Sequence, residues 1–117
     1  MKPEPDDYLP LPPATLHILL SLAGEPMHGY GIMQEVQRQS GGRYKLGPGT
    51  LYDNLQRLMK QRMVEEVAGP RAEENSRRRY YRLSSLGRGV LAQEIARLED
   101  VVREGRTRLR SLKPRRA

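Results

Sequence analysis

One stretch of the chain, GPGTLYDNLQRLMKQRMV at residues 47–64, carries a polar stripe suited to hydrogen-bonding chemistry. Apolar residues recur there every three or four positions, at Leu51, Leu55, Leu58 and Met59, which predicts an amphipathic helix. The opposite stripe has short hydroxyl and amide groups near the helix start and cations further along. Its members are Thr50, Asp53, Asn54, Arg57, Lys60 and Gln61. The stripe is either ordinary solvated surface or a recognition face.

The charge distribution favours a polyanionic partner. The 117 residues carry a formal net charge of +7, with −3 in residues 1–40, +5 in residues 41–83 and +5 in residues 84–117. A basic excess confined to the later two-thirds indicates nucleic acid first and an anionic membrane second. The alternative is a basic surface without a partner, and charge alone does not decide between the two.

Catalysis and metal binding find little support in the composition. The chain has no cysteine, which removes disulfides, thiolate metal sites and a cysteine nucleophile and suits a reducing cytoplasm. His17 and His28 are too few for a metal site, and no acid–base pairing is visible. The longest apolar run, residues 16–24, is too short to span a membrane and lacks the flanks of a signal peptide. We therefore expect no enzyme, no cofactor and no membrane partner.

The elements that must position the polar stripe follow in a simple order. Residues 1–11 are predicted to form a flexible arm. A first helix follows Pro12 and Pro13, with Leu16, Leu19, Leu20 and Ala23 as its buried stripe. A second helix spans residues 28–39, and Gly47 and Pro48 open the third. Residues 64–68 and 77–83 predict a hairpin. Ser84 caps a final helix over 84–112, and a basic tail occupies 113–117.

The final helix carries a heptad seam. Apolar positions step by four and three residues, with one break at a glycine, which is typical of a helix paired with a partner helix. The seam consists of Leu91, Ile95, Leu98, Val102, Gly105, Leu109 and Leu112. We predict a dimer interface made by Leu91, Ile95, Leu98, Val102 and Leu109. The alternative is that this helix packs back on its own domain.

Three blocks of sequence together resemble the PadR family of bacterial transcriptional regulators. They are HGYGIMQEV (28–36), GPGTLYDNLQRL (47–58) and RRRYYRLSSLGRGVL (77–91), and the match covers about residues 14–91. The resemblance implies a mostly α fold with a small β-hairpin, namely a winged helix-turn-helix over 12–83 and a dimerisation helix over 84–112. In that family the third helix enters the DNA major groove and the hairpin is the wing.

The resemblance assigns roles to the charged and polar residues. On the recognition helix the expected DNA-binding residues are Thr50, Tyr52, Asp53, Asn54, Arg57 and Lys60. In the loop before it and in the wing they are Arg43, Lys45, Arg71, Arg77 and Arg78. Two residues depart from the family pattern: Gly47 makes a weaker helix cap, and Asp53 replaces a residue that is often proline or basic. An acid there either accepts from a cytosine amino group or repels phosphate.

The resulting prediction is a cytoplasmic homodimeric regulator, a repressor that binds a pseudo-palindromic operator in double-stranded DNA. Family analogy implies a small-molecule effector that lowers DNA affinity, and nothing in the sequence identifies it. The alternative is a dimeric winged-helix architectural or protein-interaction module without a specific operator. A preference for one DNA sequence over random DNA distinguishes the two.

Overall fold

The computed structural model describes residues 4–69 and 78–112. A short 3₁₀ turn spans Pro5–Tyr8. The helices are α1 (Pro13–Ser21), α2 (Gly29–Gln39), α3 (Pro48–Lys60) and α4 (Ser85–Ser111), and the strands are β1 (Met27–His28), β2 (Val64–Val67) and β3 (Tyr80–Leu83). The predicted class, mostly α with a small β element in a winged helix-turn-helix order, is confirmed.

Helices α1, α2 and α3 pack around an aliphatic core to which every element contributes. The fully buried side chains of α1 are Ile18 and Leu19, together with Leu22 at its C-terminal end, and Thr15 is also buried. Of the predicted α1 stripe, Leu19 is fully buried, Leu16 and Leu20 are partly buried against the core, and Ala23 is exposed. Helix α1 contacts α2, α3 and α4, and the face that these three helices cover consists of residues 15, 18, 19 and 22.

The hairpin is extended by a third strand that sequence analysis missed. The strand order is β1-β3-β2 and all pairs are antiparallel, with Val64 opposite Leu83 and Met27 opposite Tyr81. β1 has only two residues, which is too short to give a period-two pattern. The hairpin loop lies outside the described residues, and so do the predicted wing contacts Arg71 and Arg77.

A side-chain cap marks the start of α4. The Ser84 hydroxyl accepts from the Gly87 amide at 3.0 Å and donates to the Arg62 carbonyl at 2.5 Å. It therefore caps α4, as predicted, and ties that helix to the end of α3. A Cβ at Gly87 would overlap the Met63 carbonyl oxygen, so only glycine allows α4 to approach this turn.

The N-terminal segment lies against α4, which corrects the prediction of a flexible arm for the part that is described. Tyr8 and Leu9 pack on the core, and Leu11 is buried. The Leu11 amide donates to Glu94 Oε2 at 2.9 Å, across 83 residues of sequence. Such a contact between distant residues leaves no local pattern in the sequence.

Glu94 is the buried acid of the fold. Its side chain is 1% exposed. Arg97 donates to it twice, from Nε to Oε1 at 2.6 Å and from Nη2 to Oε2 at 3.0 Å. The hydrogen bonds from Arg97 lower the pKa of the Glu94 carboxyl, the Leu11 amide lowers it further, and burial opposes them. The carboxylate is therefore the form that the fold stabilises.

The lowered pKa of Glu94 predicts a loss of stability in acid. Because the folded-state pKa lies below the ordinary value of 4.5, the stabilisation is present above that value. It is lost as the pH falls through the folded-state pKa. We expect Glu94→Gln to lower the free energy of unfolding by about 1–2 kcal/mol at pH 7. Urea denaturation at pH 7 and at acid pH should show a weaker acid dependence in this variant than in the wild type.

The control is Glu99→Gln, which neutralises an exposed acid of the same helix. It should leave the stability at pH 7 unchanged. Equal acid sensitivity in Glu94→Gln and the wild type would contradict the role given to Glu94.

Candidate nucleic-acid interface

The face of α3 that points to solvent is set by the face that is buried. Leu51, Leu55 and Leu58 are almost fully buried in the core. On the other side Thr50, Asp53, Gln56, Arg57 and Lys60 are all exposed. Gln56 is an exposed residue of this side that was not among the predicted candidates. The exposed side thus begins with a hydroxyl, continues with a carboxylate and an amide and ends with two cations.

Asn54 does not belong to that exposed side, which corrects the predicted stripe. It is 7% exposed, and its Oδ1 accepts from the Thr15 hydroxyl of α1 at 2.9 Å. Its Nδ2 donates to the Thr50 carbonyl at 2.9 Å. Asn54 lies three residues after Leu51 and four before Leu58, a spacing that places it on their face. The prediction followed its polarity and overlooked this spacing.

Tyr52 packs against the start of α2 while its ring stays 47% exposed. A Cβ at Gly29 would overlap the Tyr52 hydroxyl, so α2 and the tyrosine approach closely only because Gly29 lacks a side chain. Tyr52, which was predicted as a DNA-binding residue, therefore also packs α3 against α2. The exposed part of its ring borders an open cleft.

That cleft joins α2, α3 and the base of the hairpin. Its lining residues are His28, Gly29, Tyr30, Tyr52, Arg78, Arg79 and Tyr81. Arg78 Nη1 lies 3.0 Å from His28 Nε2, while His28 Nδ1 accepts from the Gly31 amide and so caps α2. The structure therefore brings Arg78 beside Tyr52. His28 and Tyr30 also line the cleft, and neither was among the predicted DNA-binding residues.

The loop before α3 exposes two cations. Leu46 is buried, and Tyr44 stacks on His17 with ring centroids 5.3 Å apart. These two side chains hold the loop on the domain, so the residues between and before them, Arg43 and Lys45, point outward and are exposed. Their guanidinium and ammonium groups stand just before the start of α3.

The cations around α3 have no acidic partner among the residues that the structure describes. Within residues 4–69 and 78–112, no ion pair within 4 Å is formed by Arg43, Lys45, Arg57, Lys60 or Arg78, whereas several other arginines pair. On the sheet, for example, Arg82 Nε lies 3.0 Å from Glu65 Oε1 and Arg79 Nε 3.9 Å from Glu66 Oε2. Arg57 Nη1 does donate to Asn54 Oδ1 at 3.5 Å, and Arg78 Nη1 lies 3.0 Å from His28 Nε2, but within these ranges no acidic group competes with an external polyanion for the five charges.

The predicted dimer interface divides into two parts. Leu91 is 5% exposed and belongs to the core of its own domain, which corrects its assignment to the interface. The reason is that the first turns of α4 pack on α1 and β3. Further along the helix Leu98 is half-buried, Ile95 and Val102 are exposed, and Leu109 reaches 72% exposure.

Two other kinds of site are absent from residues 4–69 and 78–112. No group of three or more histidine or acidic side chains there is arranged to hold a metal ion. None of the helices in these ranges is long and apolar enough to cross a membrane.

Comparisons with known proteins agree with this geometry. Residues 18–93 match the family model described as the transcriptional regulator PadR-like family. The transcriptional regulator Rv3488 of Mycobacterium tuberculosis is 36% identical over 89 residues, which cover 76% of this chain and 78% of that protein. It is therefore a relative over most of its own length.

Solved structures show the same fold. A PadR family regulator from Clostridium difficile superposes with a TM-score of 0.68 at 21% identity, over 81% of this chain and 96% of that one. Bacillus subtilis PadR, solved in complex with operator DNA, superposes with a TM-score of 0.60 at 17% identity. That match covers 70% of this chain and 46% of the Bacillus chain.

The buried position of Asn54 predicts a stability effect. Asn54→Ala leaves the Thr15 hydroxyl without its acceptor in the core, so the free energy of unfolding should fall by about 1–3 kcal/mol. Chemical denaturation measures it. The control is Gln56→Ala on the exposed side of α3, which should stay within about 0.5 kcal/mol of the wild type. If both variants are as stable as the wild type, the Thr15–Asn54 contact does not hold α3 in place.

Proposed function

The chain belongs to the PadR-like family of transcriptional regulators, and from that membership we propose that it is a homodimeric repressor that binds a specific DNA operator. The observation that carries the proposal is the exposed side of α3, bordered by cations that form no ion pair within residues 4–69 and 78–112. The structure of Bacillus subtilis PadR with operator DNA supports it, because that protein shares the fold.

In this proposal the exposed side of α3 lies in the major groove. Thr50 offers a methyl group to thymine or a hydroxyl to phosphate, and Asp53 accepts from a cytosine amino group. Arg57 forks onto guanine or phosphate, and Lys60 meets the backbone. The Tyr52 hydroxyl, which packs beside α2, reaches a phosphate at the groove edge.

The neighbouring cations hold the protein on the DNA backbone. Arg43 and Lys45 do so from the loop before α3, and Arg78 does so from the base of the wing. Contacts of this kind supply affinity and register but carry no sequence information. Arg71 and Arg77 stay predictions of the same kind, outside the described residues.

The homodimer is proposed from the part of α4 that its own domain leaves uncovered. Two copies would place two α3 helices in successive major grooves, about 34 Å apart, on a pseudo-palindromic operator. The small-molecule effector implied by the family resemblance stays a prediction.

A second candidate is a winged-helix module that binds DNA without a specific operator. The burial of Asn54 favours it, because this removes the amide best suited to adenine from the exposed side of α3. The difference between the candidates is therefore a difference in sequence preference.

Selection from a pool of random duplex DNA tests the proposal. A specific regulator should enrich one pseudo-palindromic motif and bind it about 10³-fold or more tightly than random DNA at the same salt concentration. A pool that enriches no motif, with nearly equal affinities for all sequences, would support the second candidate and overturn the first.

Salt dependence tests the basic surface itself. Five cations per protomer give on the order of ten phosphate contacts per dimer, so log affinity should fall against log salt with a slope of about −9. Lys60→Ala should weaken binding to selected and random DNA alike and make the slope shallower by about 2 for the dimer. Titrations at several salt concentrations measure both effects.

The control for Lys60→Ala is Arg103→Ala, which removes an exposed cation that is paired with Asp100 on α4. It should leave the slope unchanged. A wild-type slope shallower than about −3 would contradict the assignment of this surface to DNA.

A further inference from the structure

The loop between α2 and α3 carries Arg43 and Lys45 but forms neither helix nor strand. Its first part is tied to the end of α2, because the Gly42 amide donates to the Gln37 carbonyl at 2.8 Å. Gly41 and Gly42 turn the chain there with φ of +62° and +80°, values that residues with a side chain rarely adopt. From Tyr44 onward the loop is held by side-chain contacts instead.

Three side chains position this second part of the loop. The Ser40 hydroxyl accepts from the Tyr44 amide at 2.9 Å, and Leu46 is buried in the core. The Tyr44 ring stacks on the His17 ring with an angle of 28° between their planes and 5.3 Å between their centroids. His17 belongs to α1, so the stack is a direct contact between the first helix and the loop that carries the two cations.

A chain of hydrogen bonds fixes the His17 ring. The Ser21 hydroxyl donates to the His17 carbonyl at 2.9 Å, so its proton is used and its oxygen accepts from Gln39 Nε2 at 3.2 Å. This turns Gln39 Oε1 towards His17 Nδ1, which lies 3.1 Å away. An amide oxygen only accepts, so Nδ1 carries the proton and donates. Helix α2 therefore orients the ring on which Tyr44 stacks.

The location of the stack indicates more than a role in core packing. The fully buried side chains at the C-terminal half of α1 are Ile18, Leu19 and Leu22, whereas His17 and Tyr44 both keep part of their surface in solvent. Tyr44 lies between the two cations in sequence, so any movement of its backbone displaces both of them. The stack thus acts on the position of the cations more than on the core.

We propose that His17 is a positioning residue for DNA binding, which holds Arg43 and Lys45 at the start of α3 through its stack on Tyr44. The proposal rests on the DNA-binding function proposed above, and His17 itself touches no DNA. Without the stack both charges stay in the chain, but their positions relative to α3 vary. Since contacts to phosphate supply affinity and not sequence information, affinity for all DNA should fall while sequence preference is kept.

Titration of random duplex DNA at several salt concentrations tests the proposal with His17→Ala. Up to four phosphate contacts per dimer depend on the loop, so the slope of log affinity against log salt should become shallower by about 2 to 4. Affinity near 0.1 M salt should fall about tenfold or more. Tyr44→Leu, which removes the stack from the loop side, should have the same effect. His17→Phe keeps a ring for the stack and should restore most of the affinity.

A double-mutant cycle separates positioning from a merely structural role. In a chain that already carries Arg43→Ala and Lys45→Ala, His17→Ala should cause no further loss of affinity, because no cation is left to position. A histidine that only supports the fold would weaken both backgrounds equally. The control is Glu94→Gln, which removes buried hydrogen bonds on α4 and should leave the salt slope at its wild-type value.

The outcomes distinguish this proposal from the function on which it rests. A steep wild-type slope that His17→Ala and Tyr44→Leu leave unchanged would overturn the positioning role and leave DNA binding in place. Equal losses of affinity in the two backgrounds of the cycle would overturn it as well. A wild-type slope shallower than about −3 would instead contradict the basic surface as a whole.

Discussion

The rotation of α3 about its own axis is the constraint on which the rest of this structure depends. Leu51, Leu55 and Leu58 are buried, and their packing favours one face of the helix without fixing it sharply. The hydrogen bond from Thr15 to Asn54 is directional, and it joins α1 to that same face at 2.9 Å. Because successive residues turn by about 100°, a slip of one position would bring either Arg57 or Gln56 towards the core and expose leucines. The exposed side of α3 is thus determined by what its buried side must satisfy.

The surroundings of that exposed side come from separate parts of the chain. The loop before α3 is held by buried Leu46, and Tyr52 sits on Gly29 at the start of α2. The base of the hairpin joins the same region through Arg78, next to His28. Leu46 and Gly29 act through apolar and backbone contacts, and Arg78 lies beside the His28 imidazole, so the basic surface is positioned without an acidic side chain. That arrangement leaves its charge available to an external polyanion.

Local signals in the sequence were enough for most of the fold and for part of the site. The caps at Ser84 and Gly47 and the heptad spacing of α4 are local features, and the elements that they predict are present. Two of the errors come from contacts between residues far apart in sequence. β1 exists only because β3 pairs with it, and the N-terminal segment lies on α4 because a buried carboxylate accepts its amide. Asn54 was placed by its polarity, although its spacing from Leu51 already put it on the buried face.

The seam of α4 shows how one repeating pattern serves two environments. At Leu91 the heptad position is buried in the core of the domain. From Ile95 onward the same spacing places apolar side chains that are exposed or only half-buried. The change from core to solvent falls at Glu94, a buried carboxylate that accepts hydrogen bonds from Arg97 and from the Leu11 amide. Ser84 ties the start of α4 to the turn after α3. Helix α4 would therefore connect the proposed dimer contact directly to the recognition helix. The pitch and register of the α4 pair would therefore set the separation of the two α3 helices, and with it the spacing of the half-sites that a dimer can bind.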